Sequence, residues 1–437
     1  MKVLVVSQYW KPENGVPQRR WGWLSSILGD AHHEVTVIAP PPHYQRELTL
    51  GDWWRGREER RNADPEIGSS GERIFRSAYI PHGSSLTLKA LNQATVALGA
   101  MGLVFSKKRL LSDWKPDLVV GTVPAIPTAV ATYFVAKRFR TPFVIDLRDA
   151  WPDLLGVSSK WNKSLGKQSI REALLSKGPL QLASAITTMT LYRVMKSAAG
   201  IVVTSEWLRA NLLTDPKILG KKSAKDILTI RNVFPSETKF VKEAEGKPAQ
   251  SDARLNVLYA GTLGRAQNLA NAIDAANLAA EAGIDLRLRL VGAGAAKAAL
   301  IEKARDSQAT ISIENRRPAD RLEDYYQWAD TGLVHLTDWE PLERAVPSKT
   351  YELMESGVHI SAAVAGETAD LVRRLQAGDV VEPENPEALS ELWIDLARDR
   401  TRLRVSSKAA SWVRNERSAY VPRRFLSFLE KIVSDVS

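Results

Sequence analysis

The feature that most constrains this chain is an alternation of short apolar runs with helix-length stretches, played through twice. The first series has apolar runs at residues 3–6, 34–39, 117–121, 143–146, 200–204 and 227–230. The second has LNVLYAG, LRLRLVG, TISIE, TGLVHL and VHISAAV. Runs that are apolar throughout, instead of alternating with polar residues, belong to strands buried on both faces, and such strands pair in parallel beneath helices. A polar stretch, KFVKEAEGKPAQSDAR, separates the two series and reads as a linker. At 437 residues the chain is also too long for one core. These readings predict an α/β protein of two doubly wound domains, residues 1–234 and 235–412. A closing helical segment, 413–437, is expected to return to the first domain, and the cleft between domains is the expected site.

One stretch concentrates the chemistry of the second half: VPSKTYELMESG, residues 346–357. Pro347 forces an extended approach, Ser348 can cap a helix, residues 349–355 continue it, and Gly357 stops it. The same text admits two readings. It is either an ordinary capped helix or an anion site, with Ser348 and Lys349 at the positive helix end and the Glu352 carboxylate one turn further in. Earlier in this half, Gly261, Gly264 and Arg265 put small residues and a guanidinium at a strand's carboxyl end, which suits a phosphate clamp. LVGAGAAK, residues 290–297, offers only part of a dinucleotide fingerprint, because Lys297 stands where close packing wants Gly or Ala.

In the first half, the loop after the first strand ends in ENGVP, and Gly15 there is either a turn residue or a point of close backbone approach to a ligand. DLRDAWPD follows another buried strand, so Asp146, Arg148 and Asp149 gather at a strand's carboxyl end, where open α/β sheets bind ligands. If Asp149 pairs with Arg148, its carboxyl is expected below the ordinary range and suited to orienting a hydroxyl; the plain alternative is a structural pair. Residues 85–111 form a long helix pattern ending in Lys107, Lys108 and Arg109. It serves either as a core helix or as a helix dipping into a membrane surface with the basic cluster at the headgroups.

Composition excludes some classes. Without cysteine there are no disulfides, cysteine zinc sites or thiol nucleophiles, which fits a cytoplasmic protein. MKVLVVS turns polar after a few apolar residues and reads as a strand, not a signal peptide. A net charge of +10 calls for an anionic partner, for which nucleotide, phospholipid and nucleic acid all qualify. No Asp-x-Asp pair occurs, so a metal holding a diphosphate is not indicated.

With these residues in view, the chain resembles the family-four retaining glycosyltransferases of the GT-B fold, two Rossmann-like domains facing a cleft. The likeness rests on GTLGR at residues 261–265 and on VPSKTYELMESG. It is nearest the branch that adds amino or deoxy sugars to bacterial surface polysaccharides, such as L-fucosamine transferases, which share PHY at residues 42–44 and DLRDAWPD at 146–153. The resemblance implies a nucleotide-sugar donor, UDP-linked, and a lipid-linked or other saccharide acceptor, with no further cofactor and no nucleic acid. It implies phosphate contacts from Gly15, Arg265, Ser348 and Lys349, a ribose contact from Glu352, and an acceptor-facing end at Asp149 and Arg148. Peripheral contact with the inner face of the plasma membrane would suit such an acceptor. The chain departs from the family in three places. A sugar-orienting glutamate is expected eight residues before Glu352, where Arg344 stands, with Glu343 one place off; the usual phosphate lysine is replaced by Ala270; and no histidine ends the strand at Arg148. The competing classes are a nucleotide-sugar epimerase or NAD-dependent enzyme and a non-catalytic nucleotide-sugar-binding protein.

Overall fold

A computed structural model describes residues 1–42, 53, 64–81, 86–105, 114–123, 125–156, 179–219, 225–236, 240–242, 254–317 and 319–435. Lys107, Lys108 and Arg109, most of the PHY motif and most of the polar linker lie outside these residues. Two compact units are formed, Met1–Pro152 with Pro179–Phe234 and Tyr420–Ser437, and Asp153–Gly178 with Pro235–Ala419. Residues 413–419 and the short helix Asp153–Gly156 therefore group with the second unit.

The first unit carries strands β1 (Lys2–Val6), β2 (Glu34–Ala39), β3 (Glu66–Ile67), β4 (Arg73–Arg76), β5 (Leu118–Val123), β6 (Phe143–Leu147), β7 (Gly200–Val203) and β8 (Asp226–Thr229). Their order across the sheet is β3-β4-β2-β1-β5-β6-β7-β8, parallel except where β3 turns back on β4. Order reverses between β1 and β5, which makes that point the ligand crevice of a doubly wound sheet. Three of its helices matter below: α1 (Val16–Asp30), α2 (Leu86–Phe105) and α3 (Ile126–Phe139). Every residue of β5 and β6 is buried, which is why their sequence shows no polar alternation. Between β2 and β4 lies the exposed two-residue β3.

The second unit carries β9 (Arg254–Thr262), β10 (Asp285–Ala293), β11 (Thr310–Glu314), β12 (Thr331–His335), β13 (His359–Ala363) and β14 (Gly378–Val381), all parallel. Their order, β11-β10-β9-β12-β13-β14, reverses between β9 and β12. VPSKTYELMESG becomes helix α4 (Ser348–Ser356) between β12 and β13, with Gly357 at φ +65° closing it. The last helix, Val421–Ser434, belongs to the first unit: a side-chain carbon on Gly200 would collide with Phe428 and Ile432, and Lys431 pairs with Asp226 at 2.8 Å.

Candidate functional site

In the second unit the candidate residues gather at the carboxyl ends of β9 and β12, on either side of the strand reversal. α4 starts at Ser348 itself. Pro347 occupies the capping position and no side chain caps the helix, so the expected Ser348 cap is replaced by an uncapped first turn. The capping residue thus contributes no side-chain acceptor to the positive end of the helix.

Lys349, the second residue of α4, turns back over β9. Its Nζ lies 3.4 Å from the centre of the Tyr259 ring, and a side-chain carbon on Gly261 would stand 2.6 Å from Nζ. A side-chain carbon at 261 would displace the flexible end of the lysine from this position. Part of the residue is accessible, yet burial of its ammonium pushes the pKa down to about 7, with Glu352 pulling the other way. Among the described residues no carboxylate lies within ion-pair distance of that ammonium. Tyr259 is fully buried and its hydroxyl donates to the Thr262 carbonyl at 2.7 Å, so the ring cannot turn away. His335, at the carboxyl end of β12, is also buried, and it shares a 2.9 Å hydrogen bond with Asn271. Burial, with the Lys349 charge adding to it, drives His335 down to about 4, so it stays neutral.

Arg265 begins a single 3-10 turn after Gly264, and its Nε is buried without a hydrogen bond. The next residue's carbonyl accepts from Thr337 at 2.9 Å, tying this turn to the chain leaving β12. Glu352 is half-buried and its carboxylate receives the Tyr326 hydroxyl at 3.5 Å. Arg344 is buried and its guanidinium meets Asp153 at 3.0 Å and Glu340 at 3.2 Å. Glu343 is half-buried, and its backbone rests against Gly366 at φ +66°, where any side chain would collide with it. The fingerprint-like Gly292 and Gly294 have a packing explanation. A side chain at either would strike the backbone of Gly261 or Leu263, and Leu263 exchanges backbone hydrogen bonds with Ala293 and Ala296.

In the first unit, Gly15 stands at the head of α1 with φ −137°, extended backbone that any residue can adopt. The nearest obstacle to a side chain there is the flexible end of Gln18, so conformation does not require glycine at this position. The pairing expected at DLRDAWPD is corrected. Asp146 is buried and taken by Arg20, whose Nη2 and Nε donate to it at 2.8 and 3.2 Å, while Trp21 Nε1 donates at 2.8 Å. Arg20 is wholly buried and also donates to the Ile230 carbonyl at 2.8 Å. Asp149 is exposed, and surrounding protein raises its carboxyl while Arg148 lowers it, the net direction being up and not down as expected; water access to the exposed group offsets part of that rise. Arg148 is buried, with Nε and Nη2 making no hydrogen bond, and burial draws its pKa below the usual value against the pull of Asp146 and Asp149.

Sequence reasoning missed Tyr259, His335 and Arg20. A tyrosine and a histidine near the carboxyl ends of otherwise apolar strands, in LNVLYAG and TGLVHL, were the signals available.

Known proteins place this geometry. A family model described as "Glycosyl transferase 4-like domain" matches residues 15–216, and one described as "Glycosyl transferases group 1" matches residues 254–399. An Escherichia coli K12 protein named, provisionally, colanic acid biosynthesis glycosyl transferase WcaI is 24% identical over 409 residues, covering 89% of this chain and 90% of its own. Among solved structures, sucrose-phosphate synthase from Thermosynechococcus elongatus superposes over the whole of both chains with a TM-score of 0.66 at 14% identity. Anabaena Alr3699/HepE, solved in complex with UDP and glucose, covers 99% of this chain and 100% of its own with a TM-score of 0.58 at 15% identity. The chain belongs to the group 1 glycosyltransferases and has the GT-B fold.

Proposed function

We propose that this glycosyltransferase takes its sugar from a UDP-linked donor held on the second unit, and passes it with retention of configuration to a lipid-linked saccharide in cell-surface polysaccharide synthesis. The observation that carries the reading is Lys349. A cation without a carboxylate partner stands at the head of an uncapped helix, at the strand reversal where doubly wound sheets bind ligands. Arg265 and the Ser348 end of α4 add donors for the two phosphates, and the Glu352 carboxylate accepts from ribose hydroxyls. Negative charge grows on the diphosphate as the glycosidic bond breaks, and fixed cations and N–H groups aimed at it stabilise that stage more than the ground state. In the first unit Asp149 is assigned to the acceptor hydroxyl, with Arg148 beside it and Gly15 admitting the donor diphosphate. Arg344, held by Asp153 and Glu340, leaves no glutamate at its position to orient the sugar, and Glu343 is the nearest carboxylate in sequence. Support for a UDP donor comes from the Alr3699/HepE complex, and for surface polysaccharide from the WcaI description.

The lipid-linked acceptor agrees with one surface of the first unit. On α2, Leu88, Leu91, Leu98 and Phe105 are exposed along one face, and only 28% of the window Leu88–Phe105 is buried. α3 adds exposed Phe134, Lys137 and Arg138, and the helix Pro179–Ser197 adds Ile186, Met189, Arg193 and Lys196. Apolar side chains beside basic ones suit the boundary of an anionic bilayer.

The test is incubation with labelled nucleotide sugars and a membrane lipid extract. Release of free UDP with label entering the lipid fraction is expected. Isomerised nucleotide sugar without UDP would establish an epimerase instead, and binding without any turnover would establish a non-catalytic protein. For the membrane surface, Leu91→Asp with Leu98→Asp should abolish flotation with vesicles containing phosphatidylglycerol; unchanged flotation removes that assignment.

A further inference from the structure

We infer that Tyr259 and Gly261 form a holding place for the Lys349 ammonium, which keeps this lysine ordered beside the anion site when no phosphate is bound. The inference rests on the phosphate role proposed for Lys349 and adds two positioning residues to it. Tyr259 is an aromatic ring whose hydroxyl is already committed, and the role inferred for Gly261 is the room its missing side chain leaves, apart from any backbone contact with phosphate.

Three geometric facts support the inference. First, Lys349 Nζ stands 3.4 Å from the Tyr259 ring centre, well inside the range over which a cation is attracted to an aromatic face. Second, the ring is held at both ends, since it is fully buried at the core of β9 and its hydroxyl donates to the Thr262 carbonyl at 2.7 Å. Third, the lysine end occupies the space left by Gly261, where a side-chain carbon would stand 2.6 Å from Nζ and displace it from the ring. The ionisable groups around the ammonium come from three elements. They are Glu352 on α4 itself, His335 at the end of β12, and Tyr259 on β9. His335 is neutral and adds no repulsion, and Glu352 attracts the ammonium. The aromatic face, 3.4 Å away, is therefore in direct contact with this cation.

A free lysine side chain samples many rotamers, and ordering it at the moment of binding weakens the interaction it makes. Held on the ring, Lys349 has lost that freedom before the anion arrives. Its attraction to the ring is also weaker than to a diphosphate, so it can transfer to the ligand by a short swing of its terminal carbons. A carboxylate partner in the same place would hold the lysine more tightly and compete with the donor.

The experiment measures UDP affinity by calorimetry between pH 6.5 and 9 for the whole chain and four variants. Lys349→Gln should weaken UDP at least tenfold at pH 7; unchanged affinity would remove the phosphate reading itself. Given that loss, Tyr259→Leu should weaken UDP about three- to tenfold and move the alkaline fall in affinity to lower pH, because the charged lysine has lost its aromatic partner. Tyr259→Phe keeps the ring and should stay within about twofold of the parent with its pH profile unmoved. Gly261→Ala, which leaves the core strand residue in place, should resemble Tyr259→Leu and serves if that variant does not fold. Adding Tyr259→Leu to Lys349→Gln should cost no further affinity. Parent-like affinity and pH profile in both Tyr259→Leu and Gly261→Ala, or a full additive loss in the double variant, would overturn the holding place while leaving Lys349 as a phosphate ligand.

Discussion

The two sheets end in different electrostatics, although both are doubly wound and both reverse strand order at the same relative place. At the end of β6 the buried charges are matched inside the protein: Asp146 receives two donors from Arg20 and one from Trp21, and Arg20 spends another on Ile230. At the end of β9 and the head of α4, Lys349 has a ring instead of a carboxylate. Buried charge in the first place ties α1 to the sheet. In the second it remains available to something that is not protein. The comparison teaches that burial of a charge does not by itself mark a site, and that the absence of an internal counter-charge is the more informative sign.

The largest expected effect lies on the structural side of this contrast. Asp146→Asn leaves the Arg20 guanidinium buried without its counter-charge and should lower unfolding stability by about 3–5 kcal/mol in urea titration. Exchanging both residues for apolar ones, Arg20→Met with Asp146→Leu, should recover much of that loss; no recovery would mean the pair has a ligand role as well. On the other side, Lys349→Gln should not lower the urea midpoint, and should weaken UDP binding by about 1.5–3 kcal/mol, the usual worth of a hydrogen bond from a charged group. A large stability loss in that variant would erase the distinction between the two ends.

Next in size is a pH effect. The lysine is held down to about 7 without ligand, and a bound diphosphate raises it. UDP affinity should therefore be level just below pH 7 and fall above it, by at most roughly tenfold per pH unit. Lys349→Arg should flatten that fall, since arginine stays charged. The sign for folding is opposite: a lysine depressed from its ordinary value opposes folding most fully below pH 7, and the penalty eases as pH rises from 7 toward 10.5. The smallest effect belongs to Asp285, a half-buried partner of Arg254 and Arg287, where Asp285→Asn should change stability by about 0.2–1 kcal/mol and UDP affinity not at all.

The sheets were legible because strands buried on both faces are apolar along most of their length, as β5 and β6 are apart from Thr122 and Asp146. The helix stop at Gly357 was legible because its φ of +65° suits glycine. Less visible were contacts made across the fold. Lys349 meets a ring 90 positions earlier in the chain, and Arg20 meets a carboxylate 126 positions later, with nothing local to announce either. Arg148 and Asp149 invited pairing because they are adjacent. Here one is buried and the other, at a bend just past the strand, is exposed. Ser348 was read as a cap because serine favours that role, but Pro347 took the position.

The return of the last helix to the first unit has a consequence for modularity. Both chain termini lie in one unit, so most of the other unit, residues 235–419, is topologically an insertion within a single host domain. A fragment ending at residue 234 would expose Gly200 where Phe428 and Ile432 normally lie, and would deprive Asp226 of Lys431. A host domain built for separate study therefore has to keep residues 420–435 together with the segments before residue 235.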